Sequence, residues 1–242
     1  MTYYVISDTH LLHNTSIAKQ MDINSFLSMI TDNDRLIICG DFLDFWASYN
    51  TDIITANQSV LKNLPKNTRI LMGNHDYSMA FEGHNISTYH QETIGDKSFY
   101  FTHGYELDVA ANYEGLGLDN YEDIADYLCK NGNTIGTVLT LLWKYLSDIS
   151  NILSITRAKV FNDVDKMSFD INRIRALAEA SGRRFIISIS DDNHLIYGHT
   201  HVPYLGKISS NSGAFPDYLK IDNLGTVSLH RWKEDIDDNF SK

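Results

Sequence analysis

The feature that most constrains this 242-residue chain is a recurrence at strand ends. An apolar run of strand type stops at a glycine or small residue, and groups able to bind a metal or move a proton follow at once. Residues 3–7 run into Asp8-Thr9-His10, residues 35–39 into Gly40-Asp41, and residues 69–72 into Gly73-Asn74-His75-Asp76. Asp8 to Asp41 is 33 residues, and Asp41 to Asn74 is again 33. That is the length of a strand-helix-strand crossover. Near-continuous apolar strands separated by helices predict a parallel sheet covered on both faces. The intervening helices are expected over residues 23–31 and within residues 52–63, the second closed by Pro65.

Two further strand ends have the same character. Residues 98–102 lead into His103-Gly104, and residues 195–197 lead into Gly198-His199-Thr200-His201. In a parallel sheet the carboxyl ends of the strands share one rim, where ligands bind. That rim would gather Asp8, His10, Asp41, Asn74, His75, His103, His199 and His201. Such oxygen and nitrogen donors suit a borderline divalent ion, Mn, Zn or Fe, and the lack of thiolates excludes a cysteine-based structural zinc. One ion would be over-supplied. Two ions about 3.5–4 Å apart, bridged by one carboxylate, fit better. They would lower the pKa of a shared water and neutralise phosphoryl oxygens during in-line attack. His75 is a candidate general acid, with Asp44 holding it protonated and oriented. Asp76 is expected to cap the segment that follows it.

The rest of the chain is less patterned. Residues 107–184 have helical periodicity and are expected to form a helical insertion or lid within a single domain spanning 1–242. Leu139, Leu142, Trp143, Leu146, Ile149 and Leu153 fall on one helical face there. Between Arg157 and Arg184 lie seven basic and four acidic residues, against a net charge of −11 for the chain. Arg157, Lys159 and Lys166 are therefore candidates to face a substrate phosphate. Residues 185–190 read as another strand, and 218–221 with 226–232 as an antiparallel pair. Asn211-Ser212-Gly213 and Asn223-Leu224-Gly225 read as turns.

The acidic balance disfavours a long nucleic acid and leaves a small phosphorylated substrate as the expected partner. Two cysteines make no disulfide framework, and neither a signal peptide nor an apolar run of about 18 residues is visible. A soluble cytoplasmic protein is expected. Peripheral membrane contact and the oligomeric state stay open.

Taken together, Asp8-x-His10, Gly40-Asp41-x-x-Asp44, Gly73-Asn74-His75-Asp76, His103-Gly104 and Gly198-His199-Thr200-His201 resemble the calcineurin-like metallophosphoesterase superfamily. All five motifs occur in order. The resemblance implies a four-layer α/β sandwich of two packed sheets. It implies one metal on Asp8, His10, Asp41 and His201, and a second on Asp41, Asn74, His103 and His199, with Asp41 bridging. His75 matches the leaving-group acid of the family and Asp44 its orienting partner. Phe45 stands where protein serine/threonine phosphatases carry arginine, which points away from that branch. Ser7-Asp8-Thr9-His10-Leu11, Trp46 and the helical insertion look like the UDP-2,3-diacylglucosamine pyrophosphate hydrolases of lipid A synthesis. Those enzymes usually have arginine where His75 stands.

The implied reaction is hydrolysis of a phosphate ester or diphosphate by a metal-bridging hydroxide, on a small lipid- or sugar-linked substrate. The alternatives are a cyclic-nucleotide phosphodiesterase, another phosphodiesterase or a nuclease. A non-catalytic metal-stabilised scaffold ranks below these, because its mark would be missing ligands and none is missing.

Overall fold

A computed structural model describes residues 1–47, 50–79, 86–112, 117–131 and 193–233. The chain begins β1 (Tyr3–Ile6), α1 (Ile17–Ser28), β2 (Arg35–Cys39), α2 (Asn50–Ala56), α3 (Gln58–Lys62) and β3 (Arg69–Leu71). β4 (Ile86–Ser87), β5 (Tyr89–Ile94) and β6 (Lys97–Thr102) follow, then α4 (Tyr105–Asn112) and α5 (Leu118–Asn131). The last elements are β7 (Asn193–Tyr197), β8 (Tyr204–Leu205), β9 (Ser209–Asn211), β10 (Asp217–Ile221) and β11 (Val227–Arg231).

These strands form two packed sheets, not the one parallel sheet that strand periodicity alone suggests. The first has the order β11-β10-β1-β2-β3-β4 and the second β5-β6-β7-β9-β8. β1 to β4 pair in parallel, and β10 and β11 run antiparallel beside β1. In the second sheet β6, β7 and β9 are parallel, with antiparallel strands at both edges. The α/β sandwich implied by the family resemblance is thus the fold.

Side-chain alternation explains why the central strands are apolar throughout. Tyr3, Val5, Ile37, Cys39 and Leu71 pack with Phe99, Phe101 and Ile196 between the sheets. Their neighbours Tyr4, Ile6, Leu36, Ile38 and Ile70 pack on the other face with Ile23, Phe26 and Leu27 of α1. Both faces are covered, so period-two alternation brings no polar position to the surface. Each fully buried Phe or Ile there contributes about 1.5–3 kcal/mol relative to exposure.

Several boundaries differ from expectation. α1 starts at Ile17 because the Ser16 side chain accepts from Lys19 N at 3.2 Å, a cap outside the apolar pattern. The helix expected within 52–63 is split in two at Asn57, a buried side chain that donates to the carbonyls of Ile53 and Leu12. β5 pairs with β6 around Gly95, whose φ is +61°. The expected turn at 211–213 is partly strand, since Asn211 ends β9. α4 and α5 form the described part of the expected insertion. The face at 139–153, the strand at 185–190, and Arg157, Lys159 and Lys166 lie outside the described residues.

Candidate metal centre

The five expected strand ends meet at one rim. Beyond the last ladder bonds their loops remain laced together: Asp8 N donates to Gly40 O (3.1 Å), His10 N to Asp41 O (3.0 Å), and Gly198 N to His103 O (2.9 Å). So close an approach leaves no room for side chains at the joints. A Cβ at Gly73 would fall on the Asp41 carboxylate, and one at Gly198 on Ser7 and Asp8.

The backbone at the rim is strained. Asp8, His10, Asp41, His199 and His201 all have positive φ, between +41° and +68°. Among the described residues, Ser78 is the one other non-glycine residue with positive φ. An L-residue rarely adopts that conformation, and each instance costs about 1–3 kcal/mol unless its surroundings fix it. Five at one rim mark the place where the fold trades backbone comfort for the direction of a side chain.

Those side chains enter three clusters of candidate ligand atoms, one of them His10 with Asp44 and His75. Asp8, His10 and His201 form one group whose ligand atoms all lie within 4.8 Å of one another, and Asp41, His103 and His199 form another. His10 Nε2 and His201 Nε2 are 3.1 Å apart, and Asp41 Oδ2 lies 3.7 Å from His10 Nε2 and 3.1 Å from His103 Nε2. Asn74 Oδ1 is 3.2 Å from His103 Nε2. Asp41 therefore stands between the groups. The His103 Nδ1–H donates to Cys39 O at 2.6 Å, which turns Nε2 toward the rim.

The donor set, carboxylate and imidazole groups together, fits divalent cations. His199 Nδ1 is buried without a hydrogen-bond partner among the described residues, and Asp8 Oδ1, also buried, has His201 Nε2 3.3 Å away. A buried acceptor with nothing to accept from costs about 1–3 kcal/mol. One of these atoms belongs to the group of Asp41 and the other to that of Asp8. The surrounding field is strongly negative. Burial pulls His103 down, yet Asp41 and Asp8 raise it to about 10. Burial pushes Asp41 up, yet the charges of His103 and His75 hold it well below the usual carboxylate range.

His75 and Asp44 also meet as expected. His75 Nδ1–H donates to Asp44 Oδ1 at 2.9 Å, and Asp44 Oδ2 lies 3.4 Å from His10 Nδ1. One carboxylate thus faces both a candidate ligand and the candidate acid. The Trp46 indole stacks on the His75 ring, centroids 4.2 Å apart at 23°.

Contrary to expectation, Asp76 does not cap the segment that follows it. Its buried carboxylate accepts from Gly73 N (2.7 Å), Phe42 N (2.8 Å) and Asp41 N (3.3 Å), clamping the β2 and β3 ends together. Burial, with the nearby Asp41 charge, raises its pKa to about 6.

Two residues of the rim carry no local sequence signal. Asp108 of α4 places Oδ2 3.1 Å from His199 Nε2. The Asn211 amide donates to Gly198 O (2.7 Å) and Thr200 Oγ1 (3.0 Å), bracing the loop of His199 and His201. A polar residue ending a short polar strand gives no sign of this from sequence, and neither does an acid one turn into a helix.

Fold and rim together define an α/β sandwich with a metal-type donor set gathered at one rim. The chain belongs to the calcineurin-like phosphoesterase family, whose model matches residues 1–203. It is accordingly a metal-dependent phosphoesterase that acts on a phosphorylated substrate. A search of curated proteins finds no sequence relative. Solved structures of similar fold include the E. coli phosphoesterase Yfce, 14% identical over 96% of this chain and 99% of its own, with a TM-score of 0.45. A novel archaeal phosphodiesterase is 16% identical over 96% and 99%, TM-score 0.43. Zinc-complexed Vps29 of Entamoeba histolytica is 12% identical over 96% and 98%, TM-score 0.43. These likenesses are distant, and the family assignment rests on the family model. No helix among the described residues is long and apolar enough to cross a membrane.

Proposed function

We propose that the chain cleaves a phosphate ester or diphosphate bond of a small substrate at a centre of two divalent ions, Mn, Zn or Fe. The observation that carries this is the convergence of two donor groups, Asp8 with His10 and His201 and Asp41 with His103 and His199, with Asp41 Oδ2 3.7 Å from His10 Nε2 and 3.1 Å from His103 Nε2. In this reading Asp8, His10, Asp41 and His201 hold one ion, and Asp41, Asn74, His103 and His199 hold the other. The ions, when bound, supply an activated water and offset phosphoryl charge during in-line displacement.

The chain's own residues do the rest. Asp108 accepts the Nε2–H of His199 and so presents the Nδ1 lone pair to the rim. His75 keeps a proton for the leaving oxygen. Burial disfavours its charged form, but the Asp41 charge and the Asp44 hydrogen bond outweigh that and raise its pKa. Asp44 stays ionised beside it: burial pushes its carboxyl up, and the bonds to His10 and His75 pull it far below the usual range. Trp46, flat against the ring, holds the acid in place.

Residues 107–184 are read as a lid inserted in a single domain, with α4 tying it to the rim through Asp108. The likeness to diacylglucosamine pyrophosphate hydrolases favours a lipid- or sugar-linked diphosphate. The histidine at 75, where that branch carries arginine, favours a second reading, a phosphodiester whose alkoxide needs a proton to leave. Two buried free cysteines suit a reducing, cytoplasmic setting. The test is hydrolysis of bis-p-nitrophenyl phosphate after chelation and re-addition of Mn²⁺, Zn²⁺ or Mg²⁺. Metal-restored turnover is expected, and its absence sinks the reading.

A further inference from the structure

The inner faces of the sandwich change character away from the rim. Inward positions read Arg35, Ile37, Cys39 along β2, Arg69, Leu71 along β3, and His90, Glu92, Ile94 along β5. Ile37, Cys39, Leu71 and Ile94 belong to the intersheet core, so strand alternation puts the four charged or polar residues on the same side. A cavity of about 240 Å³ opens among them, with Lys66 also in its wall. At about 3.3 Å per residue along β2, Arg35 lies about 20 Å from Asp41.

The charge in this cavity is unbalanced. Glu92 is its one carboxylate, and Tyr3 OH (2.7 Å), Arg35 Nη1 (3.0 Å) and His90 Nε2 (3.0 Å) already contact it. Among the described residues neither Lys66 nor Arg69 makes an ion pair. Positive charge therefore collects in a partly walled space of a chain whose net charge is −11. A planar guanidinium beside an ammonium suits a phosphate, which accepts paired hydrogen bonds from the first and a point charge from the second.

We propose that this cavity is an anion site, separate from the metal rim, that takes a small phosphate-type dianion held by Arg69 and Lys66, with the Glu92-anchored Arg35 as a third cation. The anion is either free inorganic phosphate or the phosphate group of a larger metabolite. The site requires no strained backbone, no metal and no part of the hydrolytic reading.

Calorimetry with inorganic phosphate and, separately, glycerol 1-phosphate tests it on the full chain. Binding is expected to survive in Asp41→Asn and in the chelated wild type, where the rim holds no ions. It is expected to weaken about tenfold or more in Lys66→Gln/Arg69→Gln. That double variant removes no ion pair, and circular dichroism should show it folded. Tighter binding of the ester identifies a phosphorylated metabolite as the occupant, and tighter binding of inorganic phosphate identifies the free ion. Loss of all binding in both Asp41→Asn and the chelated protein would overturn the proposal, as would unchanged affinity in the double variant.

Discussion

The two ends of the sandwich are made by the same strands and solve opposite problems. At the carboxyl ends, Asp8, Asp41, Asn74 and His103 are buried, and five donor residues hold a positive φ. At the amino ends of β2 and β3, Arg35 and Arg69 stand half-buried on ordinary strand backbone. Several ligands aimed at one point require an accuracy that strands alone do not provide. The chain obtains it through strain, tight glycines and the Asp76 clamp. A site that gathers positive charge needs only proximity. Backbone strain thus separates the candidate metal centre from the proposed anion site.

Substitutions at the two ends should differ accordingly. Asp41→Asn should abolish measurable turnover and metal content together, read by elemental analysis beside a hydrolysis assay. His75→Ala should keep its metal and lose about 10²–10⁴-fold in turnover on a substrate with an alkoxide leaving group. It should lose little on p-nitrophenyl esters, whose leaving group needs no proton. Asp108→Asn should weaken metal affinity about 10–100-fold while the fold persists, seen by titration with a competing chelator.

Toward the amino ends the effects shrink. Burial pushes His194, hydrogen-bonded to Ser210 in the second sheet, down to about 4. Its unfolded value is about 6.5, so between those values the unfolded chain binds more protons. Stability from this group is complete above pH 6.5 and falls by up to about 3 kcal/mol as the pH drops through 4. Urea unfolding at pH 7.5 and 5 should show about 2 kcal/mol of that loss, and His194→Gln should reduce it. Least of all, Lys66→Gln/Arg69→Gln should leave metal-dependent turnover unchanged. A loss there would mean that the two ends are not independent.

The rim was legible in sequence because the identity of its donors and their spacing after apolar runs are local facts. Asp8, His10, Asp41, Asn74, His103, His199 and His201 come together as the motifs imply. The second sheet was not legible from periodicity. Alternation says that both faces of β1 and β2 are covered but not whether a helix or a sheet covers them. β5 alternates exposed and half-buried polar residues at a sheet edge, and β9 is Ser209-Ser210-Asn211, buried despite its polarity. Neither has the apolar signature of a strand. Asp108 lies 91 residues from His199, so only the packing of α4 on the rim pairs them.

The central claim is that Asp41 joins two metal positions into one hydrolytic centre. Metal content and turnover measured on the same samples during stepwise chelation test it most directly. The account predicts two ions per chain, turnover restored only when both return, and neither in Asp41→Asn. Full activity with one ion per chain, or activity that survives complete chelation, would contradict it.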